Sequence, residues 1–325
     1  MIKITIVIPN YNGMVFLRDC LQALAEQIAD TPEYEVLVVD NGSTDGSLEL
    51  MEREFPLVKV IPLAENTGFC HAVNVGIRSS QAPYVILLNN DTKVKPEFVY
   101  HLYKAIEERE GAFSVSAKML SWDKPEILDD AGDRYCVLGW AFARGKGKSA
   151  AAYDRAVEIF SSCAGAAIYK REVFKEIGLF DEQHFAYMED IDIGYRAKIY
   201  GYRNYYEPKA EVIHYGSAST GSQYNEFKTG LAAANNIYVI GKNMPLLQII
   251  WNFPFLFLGF LAKFIFFYRK KMGKLYLKGL GIGFEKLFSK AGRKRRVRFH
   301  ISRLKTYFSI QLQLYTNTLR FLKKS

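Results

Sequence analysis

The sequence predicts an α/β fold, a doubly wound, mostly parallel mixed sheet followed by a basic, apolar helical extension, and three observations predict it. Strand-like and helix-like periodicities alternate over the first 110 residues. The strand runs are apolar on both faces, as parallel strands between helix layers are. Asn, Asp, Gly and Ser collect where those runs end, which is where α/β sheets bind ligands.

Residues 3 to 8 alternate β-branched side chains up to Pro9, and Leu17, Leu21 and Leu24 then recur at helical spacing. The pattern repeats: a strand at 34 to 40, a helix from Ser47, a strand at 57 to 62, a helix from Phe69 and a strand at 84 to 89. Between 112 and 160 only a strand near 113 to 117 stands out. The signal returns at 163 to 169, with helices at 172 to 177 and 188 to 200, a strand at 211 to 214 and a helix at 226 to 241.

With 325 residues, 49% of them hydrophobic, the chain can bury a large core. Its net charge of +9 is unevenly spread: residues 243 to 325 carry 18 Lys or Arg against one acid, Glu285, while the preceding residues carry 25 against 33. An acidic body is thus joined to a basic tail that would seek polyanions. Cys20, Cys70, Cys136 and Cys163 have no zinc or redox spacing and read as reduced structural thiols. The short apolar N-terminal run lacks a signal-peptide pattern, so the body is expected in the cytosol.

The strand ends carry the candidate chemistry. Asp91 closes the most apolar run, so its carboxylate should face the sheet-edge crevice, where a hard cation on a diphosphate would want it; a helix cap explains the same residue. Tyr187-Met188-Glu189-Asp190-Ile191-Asp192 is a second acidic cluster at a helix start, where capping also favours acids. Asp192 and Arg196, at i and i+4, read as a helix-surface ion pair. His214 ends an alternating strand and could be structural or a ligand.

The segments VIPNYNG, VLVVDNGSTDGS, ENTGF with NVGI, LLNND, GLFDEQHFAYMEDIDIGYR and VIHYGSAS occur in the order found in family 2 glycosyltransferases. Over residues 3 to 245 the chain resembles that family, especially its rhamnosyltransferase-like branch. The resemblance implies a GT-A nucleotide-sugar fold and an inverting mechanism. It places Pro9 and Tyr11 at the base, Asp40 on the base or ribose, and Asn66, Gly68 and Asn90 along the nucleotide sugar. It makes the Glu189–Asp190 pair catalytic, with Asp190 the general base, and gives Asp91 and His214 to a Mg2+ or Mn2+ ion. Asn74 and Gly76 read as helix-packing residues. One departure is that Asn89 and Asn90 precede Asp91, where many relatives have a second acid, so the metal would rely on His214, the diphosphate and water.

The tail begins near 243, leaving a catalytic domain at 1 to 242. Residues 249 to 268 have spanning length, but Asn252, Pro254, Lys263 and the positive-inside tendency favour an interfacial or re-entrant element. Leu304, Phe308, Leu312, Tyr315, Leu319 and Leu322 draw one apolar stripe, with Lys305, Arg320 and Lys324 off it. The cluster 293 to 298 would attract anionic lipid. The expected partners are therefore a nucleotide-sugar donor, a saccharide or polyprenyl-linked acceptor and anionic membrane lipid through 249 to 325. No nucleic-acid partner is expected, and the stripe could also form a homodimer. The expected place is the inner face of the cell membrane. Two other classes compete: a nucleotidyltransferase, for which PNYNGMVFLRD supplies only Gly13 and Arg18 as a phosphate loop, and a silent membrane-surface scaffold.

Overall fold

The computed structural model describes residues 1–216 and 225–323. Residues 217–219 of the last family motif, and Lys324 of the tail, lie outside the described residues. In chain order the elements are β1 (Ile4–Asn10), α1 (Met14–Ala25), β2 (Tyr34–Asp40), α2 (Ser47–Glu54), β3 (Lys59–Pro62), α3 (Phe69–Ser79), β4 (Tyr84–Leu88), β5 (Thr92–Val94) and α4 (Phe98–Glu108). There follow β6 (Ala112–Ser121), β7 (Leu128–Asp130), β8 (Asp133–Tyr135), β9 (Ala141–Ala143), β10 (Val157–Ile159), β11 (Ala166–Lys170), α5 (Phe174–Ile177), α6 (Glu189–Ile199) and β12 (Arg203–His214). The last five are α7 (Glu226–Asn243), α8 (Leu246–Arg269), α9 (Gly273–Phe288), α10 (Lys290–Arg295) and α11 (Leu304–Leu322).

The main sheet runs β10-β12-β6-β11-β4-β1-β2-β3, with β5 on β12 and β7 on β6. Strands β1 to β4 pair in parallel, whereas β11 enters antiparallel between β4 and β6. Alternation along β1 feeds both faces: Ile4, Ile6 and Ile8 join the core under α1 and α4, and Val7 joins the one under α3. A Cβ on Gly76 would lie 2.2 Å from Val7 Cγ1, so the glycine lets α3 seat on β1. The chain winds outward from β1 through β2 and β3, then returns to place β4 on the other side of β1. The crevice beyond the carboxyl ends of β1 and β4 is therefore a topological switch point.

The weakly patterned stretch 112–160 folds into the long β6, the β8–β9 hairpin and edge strand β10. Its strands are mostly three residues long, too short for periodicity to register. The tail packs onto the body. Gly279 and Gly283 of α9 lie so close to α7 that an added Cβ would stand 2.5 and 2.4 Å from the Gly230 and Ala234 carbonyl oxygens. Tyr307, Ile310 and Leu314 of α11 share one core with Tyr195 of α6, Val239 of α7 and Leu256 of α8.

One tail expectation changes. Residues 249 to 268 lie within one continuous helix, α8, with Pro254 inside it, so no re-entrant break is present. That helix is long and apolar enough to cross a membrane by length and composition. Its Asn252, Leu256 and Gly259 nevertheless face the protein, and Trp140 Nε1 donates to the Gly259 carbonyl at 3.0 Å. Of the apolar stripe of α11, Leu304, Phe308, Leu312, Leu319 and Leu322 are exposed and Tyr315 packs partly against the body, while Tyr307, Ile310, Leu314 and Asn317 form the buried face.

Candidate active site

A cavity of about 690 Å³ opens at the switch-point crevice. Pro9, Tyr11, Asn66, Gly68, Asn90, Asp91, Glu189, Asp190 and His214 all line it. Of the residues expected there, Asp40 is the exception. It is fully buried, accepts from Asn10 Nδ2 at 2.8 Å and from the Ser43 amide at 2.9 Å, and does not reach the cavity wall. Its place is taken by Asn10, whose Oδ1 accepts from Asn90 Nδ2 at 2.7 Å. A side chain at Gly13 would collide with that Asn90 amide.

The β3–α3 loop is fixed by Asn41, which accepts from the Thr67 amide and hydroxyl at 3.0 and 2.9 Å and donates to Asn66 Oδ1 at 3.0 Å. Gly68 has φ +88°, and Phe185 packs where its Cβ would be, so only glycine fits. Asn74 and Gly76 do serve packing: Asn74 clasps the Phe180 backbone at 2.8 and 3.0 Å.

On one side of the cavity, His214 Nε2 lies 3.4 Å from Asp91 Oδ1. His214 Nδ1 meets Asp129 Oδ2 at 2.8 Å, and Asp129 is also paired with Lys146. Burial alone would lower the His214 pKa, but the hydrogen bonds and charges of Asp129 and Asp91 lift it to about 9. A carboxylate behind the imidazole fixes which nitrogen faces outward, as at histidine metal sites. Two ligands of one octahedral ion at roughly 2.1 Å stand about 3 Å apart, so Asp91 and His214 fit a divalent cation on both chemistry and spacing. Asp181, His184 and Asp192 also cluster, but they do not suit a cation. Lys242 Nζ contacts both carboxylates at 2.7 and 2.8 Å, and Arg196 and Arg295 add further positive charge.

Across the cavity, α6 presents Glu189 and Asp190. The loop before it is strained, with positive φ at Phe185, Tyr187 and Met188, a conformation costing on the order of 1–3 kcal/mol per residue. Asn235 of α7 holds it by donating to the carbonyls of His184, Ala186 and Tyr187 at 2.8, 2.9 and 2.8 Å. Lys286 of α9 in turn bonds Asn235 Oδ1 at 2.9 Å and the Gln183 carbonyl at 2.7 Å. Asp190 Oδ1 accepts from the Ala164 amide at 3.0 Å. Burial, reinforced by the charge of Glu189, pushes the Asp190 carboxyl well above the ordinary range. Burial likewise lifts Glu189 to about 7, with the nearby Asp133 charge adding to it.

Asp192 and Arg196 do form an ion pair, at 2.9 Å, but it is buried and not on the surface. The reason is that α6 is sandwiched, with α5 and the sheet on one side and α7 and α11 on the other. The thiols of Cys20, Cys70 and Cys136 are buried and free, while Cys163 lines the cavity. Sequence reading missed Asn10, Asn41, Asp129 and Asn235. The first two stand in the strand-end motifs already singled out; the last two carry no local signal.

The sequence model of Glycosyl transferase family 2 matches residues 5–178. The N-acetylglucosaminyl-diphospho-decaprenol L-rhamnosyltransferase of Mycobacterium tuberculosis is 30% identical over 217 residues, covering 57% of this chain and 68% of that protein. The poly-beta-1,6-N-acetyl-D-glucosamine synthase of Staphylococcus epidermidis is 23% identical over 210 residues, covering 64% and 48%. Among solved structures, GalNAc-T7 with UDP, GalNAc and Mn2+ superposes with TM-score 0.60 at 16% identity, covering 74% of this chain and 48% of that one. The Pyrobaculum calidifontis mannosyltransferase in complex with GDP-Man and Mn2+ gives TM-score 0.53 at 15% identity, covering 96% and 84%. At these identities the structural likeness shows the GT-A fold alone.

Proposed function

The chain belongs to glycosyl transferase family 2, rhamnosyltransferase-like in type, and from that premise we propose that it is an inverting transferase working at the inner face of a cell membrane. Its donor is a nucleotide diphosphate sugar, dTDP-rhamnose by preference, and its acceptor a hydroxyl of a lipid-linked or cell-wall saccharide. The M. tuberculosis relative, named for a rhamnosyl transfer to a diphospho-decaprenol acceptor, supports both choices. The observation that carries the reading is one cavity lined together by Asp91, His214, Glu189 and Asp190.

Pro9 and Tyr11 take the base, and the half-exposed Tyr11 ring is free to stack on it. Asn66, Gly68 and Asn90 line the nucleotide sugar, and Asp40 acts indirectly by holding Asn10 against Asn90. Asp91 and His214 hold Mg2+ or Mn2+, which when bound neutralises charge on the departing diphosphate. Asp190 accepts the acceptor hydroxyl proton as that oxygen bonds to the anomeric carbon from the face opposite the diphosphate. The bond to the diphosphate breaks, the proton remains on Asp190, and the anomeric configuration inverts. Burial, reinforced by the charge of Glu189, raises the Asp190 pKa and so makes it a stronger base than an ordinary carboxylate.

Residues 1–242 form the catalytic unit and 243–325 the membrane-seeking unit. Exposed Leu247, Trp251, Phe308 and Leu312, beside the basic 293–298 segment, suit contact with an anionic lipid surface. The experiment is a panel of nucleotide sugars with Mg2+ or Mn2+ and a polyprenyl-linked acceptor. Metal-dependent transfer by the parent, and transfer lowered at least about 10²-fold in Asp190→Asn, is expected. No transfer from any donor, or unchanged transfer in Asp190→Asn, would sink the scheme.

A further inference from the structure

A second cavity, of about 480 Å³, lies between the β8–β9 hairpin, edge strand β10 and α11. It is separate from the active site. Tyr135 turns into the core shared with α6, and the charge of Asp133 acts on Glu189, so strand alternation turns Arg134, between them, the other way. Arg134, Arg144 and Arg320 converge on this cavity. Arg144 is held flat over the rings of Tyr153 and Tyr206, 4.7 and 5.0 Å from their centroids. Gln313, Asn317 and Arg320 stand at i, i+4 and i+7 on one flank of α11, and the buried Asn317 ties that helix to β8 by donating to the Tyr135 carbonyl at 2.9 Å.

No carboxylate among the described residues pairs with any of the three arginines. Glu158, the acid on the cavity wall, is committed to Lys198 at 2.8 Å. Burial, with the charges of Arg320 and Arg144 acting in the same direction, brings the Arg134 pKa down to about 10. Three guanidiniums gathered with no carboxylate ion-paired to them repel one another, and their forked donors match the oxygens of a phosphate.

We propose that this cavity binds an oxyanion of the phosphate class, a mono- or diphosphate group. The group comes either from the acceptor, where a diphosphate links saccharide to lipid, or from free phosphate.

The test needs no turnover, so it stands apart from the glycosyl-transfer reading. The full chain, stripped of metal and kept in chelator, is titrated calorimetrically with inorganic diphosphate. One site is expected, weakened at least about tenfold in Arg134→Gln and in Arg320→Gln, and unaffected in Asp190→Asn. Arg320 is exposed, so its variant should fold as the parent does. Without anion, Arg134→Gln should melt no lower than the parent, because removing one like charge relieves repulsion. A second arm separates the sources: a raised KM for a diphosphate-linked acceptor in Arg320→Gln, with kcat unchanged, identifies the acceptor's phosphate, and an unchanged KM identifies the free anion. No binding by the parent, or equal affinity in parent and both arginine variants, overturns the proposal.

Discussion

At the scale of single residues, the two walls of the active site make opposite demands on charge. Glu189 and Asp190 are held in a poorly solvated setting that resists ionisation, and a general base works only when ionised. kcat/KM should therefore rise with pH and level off once Asp190 is ionised, with the ascending limb above the ordinary carboxylate range. Glu189→Gln removes a charge that raises Asp190, so the ascending limb should move to lower pH; a limb that stays put would exclude the coupling. Asp190→Asn should lower kcat by about 10²- to 10⁴-fold while nucleoside diphosphate binding, read by thermal shift, is kept. Asp129 orients His214 by its Nδ1, leaving Nε2 turned to Asp91. Asp129→Asn should weaken Mn2+ binding about 10- to 100-fold, measured by titration with the nucleoside diphosphate present. Asp91 and Asp190 could be read from the sequence because each sits at an element end within a recognisable run. Asp129 could not, since it lies in a poorly patterned stretch and meets His214 across 85 residues of chain.

At the scale of elements, the catalytic loop depends on helices beyond it. Its left-handed residues persist because Asn235 satisfies three of its carbonyls and Lys286 braces Asn235. Asn235→Ala would remove three hydrogen bonds from the loop, each worth about 0.5–1.5 kcal/mol, and should lower the melting temperature. Lys286→Met is the milder test: kcat should fall while KM for the donor holds, because the base is displaced and the nucleotide wall is not. The α7–α9 contact is backbone against backbone. Gly283→Ala would force its methyl to 2.4 Å from the Ala234 carbonyl oxygen, and a loss of about 1–3 kcal/mol in chemical denaturation is expected.

At the scale of the whole molecule, a buried ionic knot joins the body to the start of the tail. Burial alone would raise the carboxyls of Asp181 and Asp192, but Lys242 overrides it at Asp181, holding it at about 2, and Arg196 with Lys242 holds Asp192 well below the usual range. Both pKa values are depressed on folding. Their contribution is therefore present above the ordinary carboxylate range near 4 and lost as pH falls from there towards 2. Lys242→Met should cost about 3–5 kcal/mol at neutral pH, and much less of that difference should remain in acid. Ending the chain at 242 would strip α8 and α11 from the core they share with α6 and α7, and α9 from its close contact with α7. Such a fragment should be insoluble or unfolded, as circular dichroism and sedimentation would report.

The sequence by itself determined the parallel strands of the first half, their polar ends and the acids at Asp91 and Asp190. Strand alternation, helical spacing and polar strand ends are local patterns, and each obeys physics acting within a few residues. The tertiary structure alone decided which polar groups meet: Asp40 retreats behind Asn10, Asp129 stands behind His214, the Asp192–Arg196 pair is sealed under the tail, and three arginines converge beside α11. Those meetings join residues from 4 to about 190 positions apart, and even the closest is buried only because distant helices cover it. Neighbours along the chain carry no record of such long-range packing, which is why it became visible only in the folded molecule.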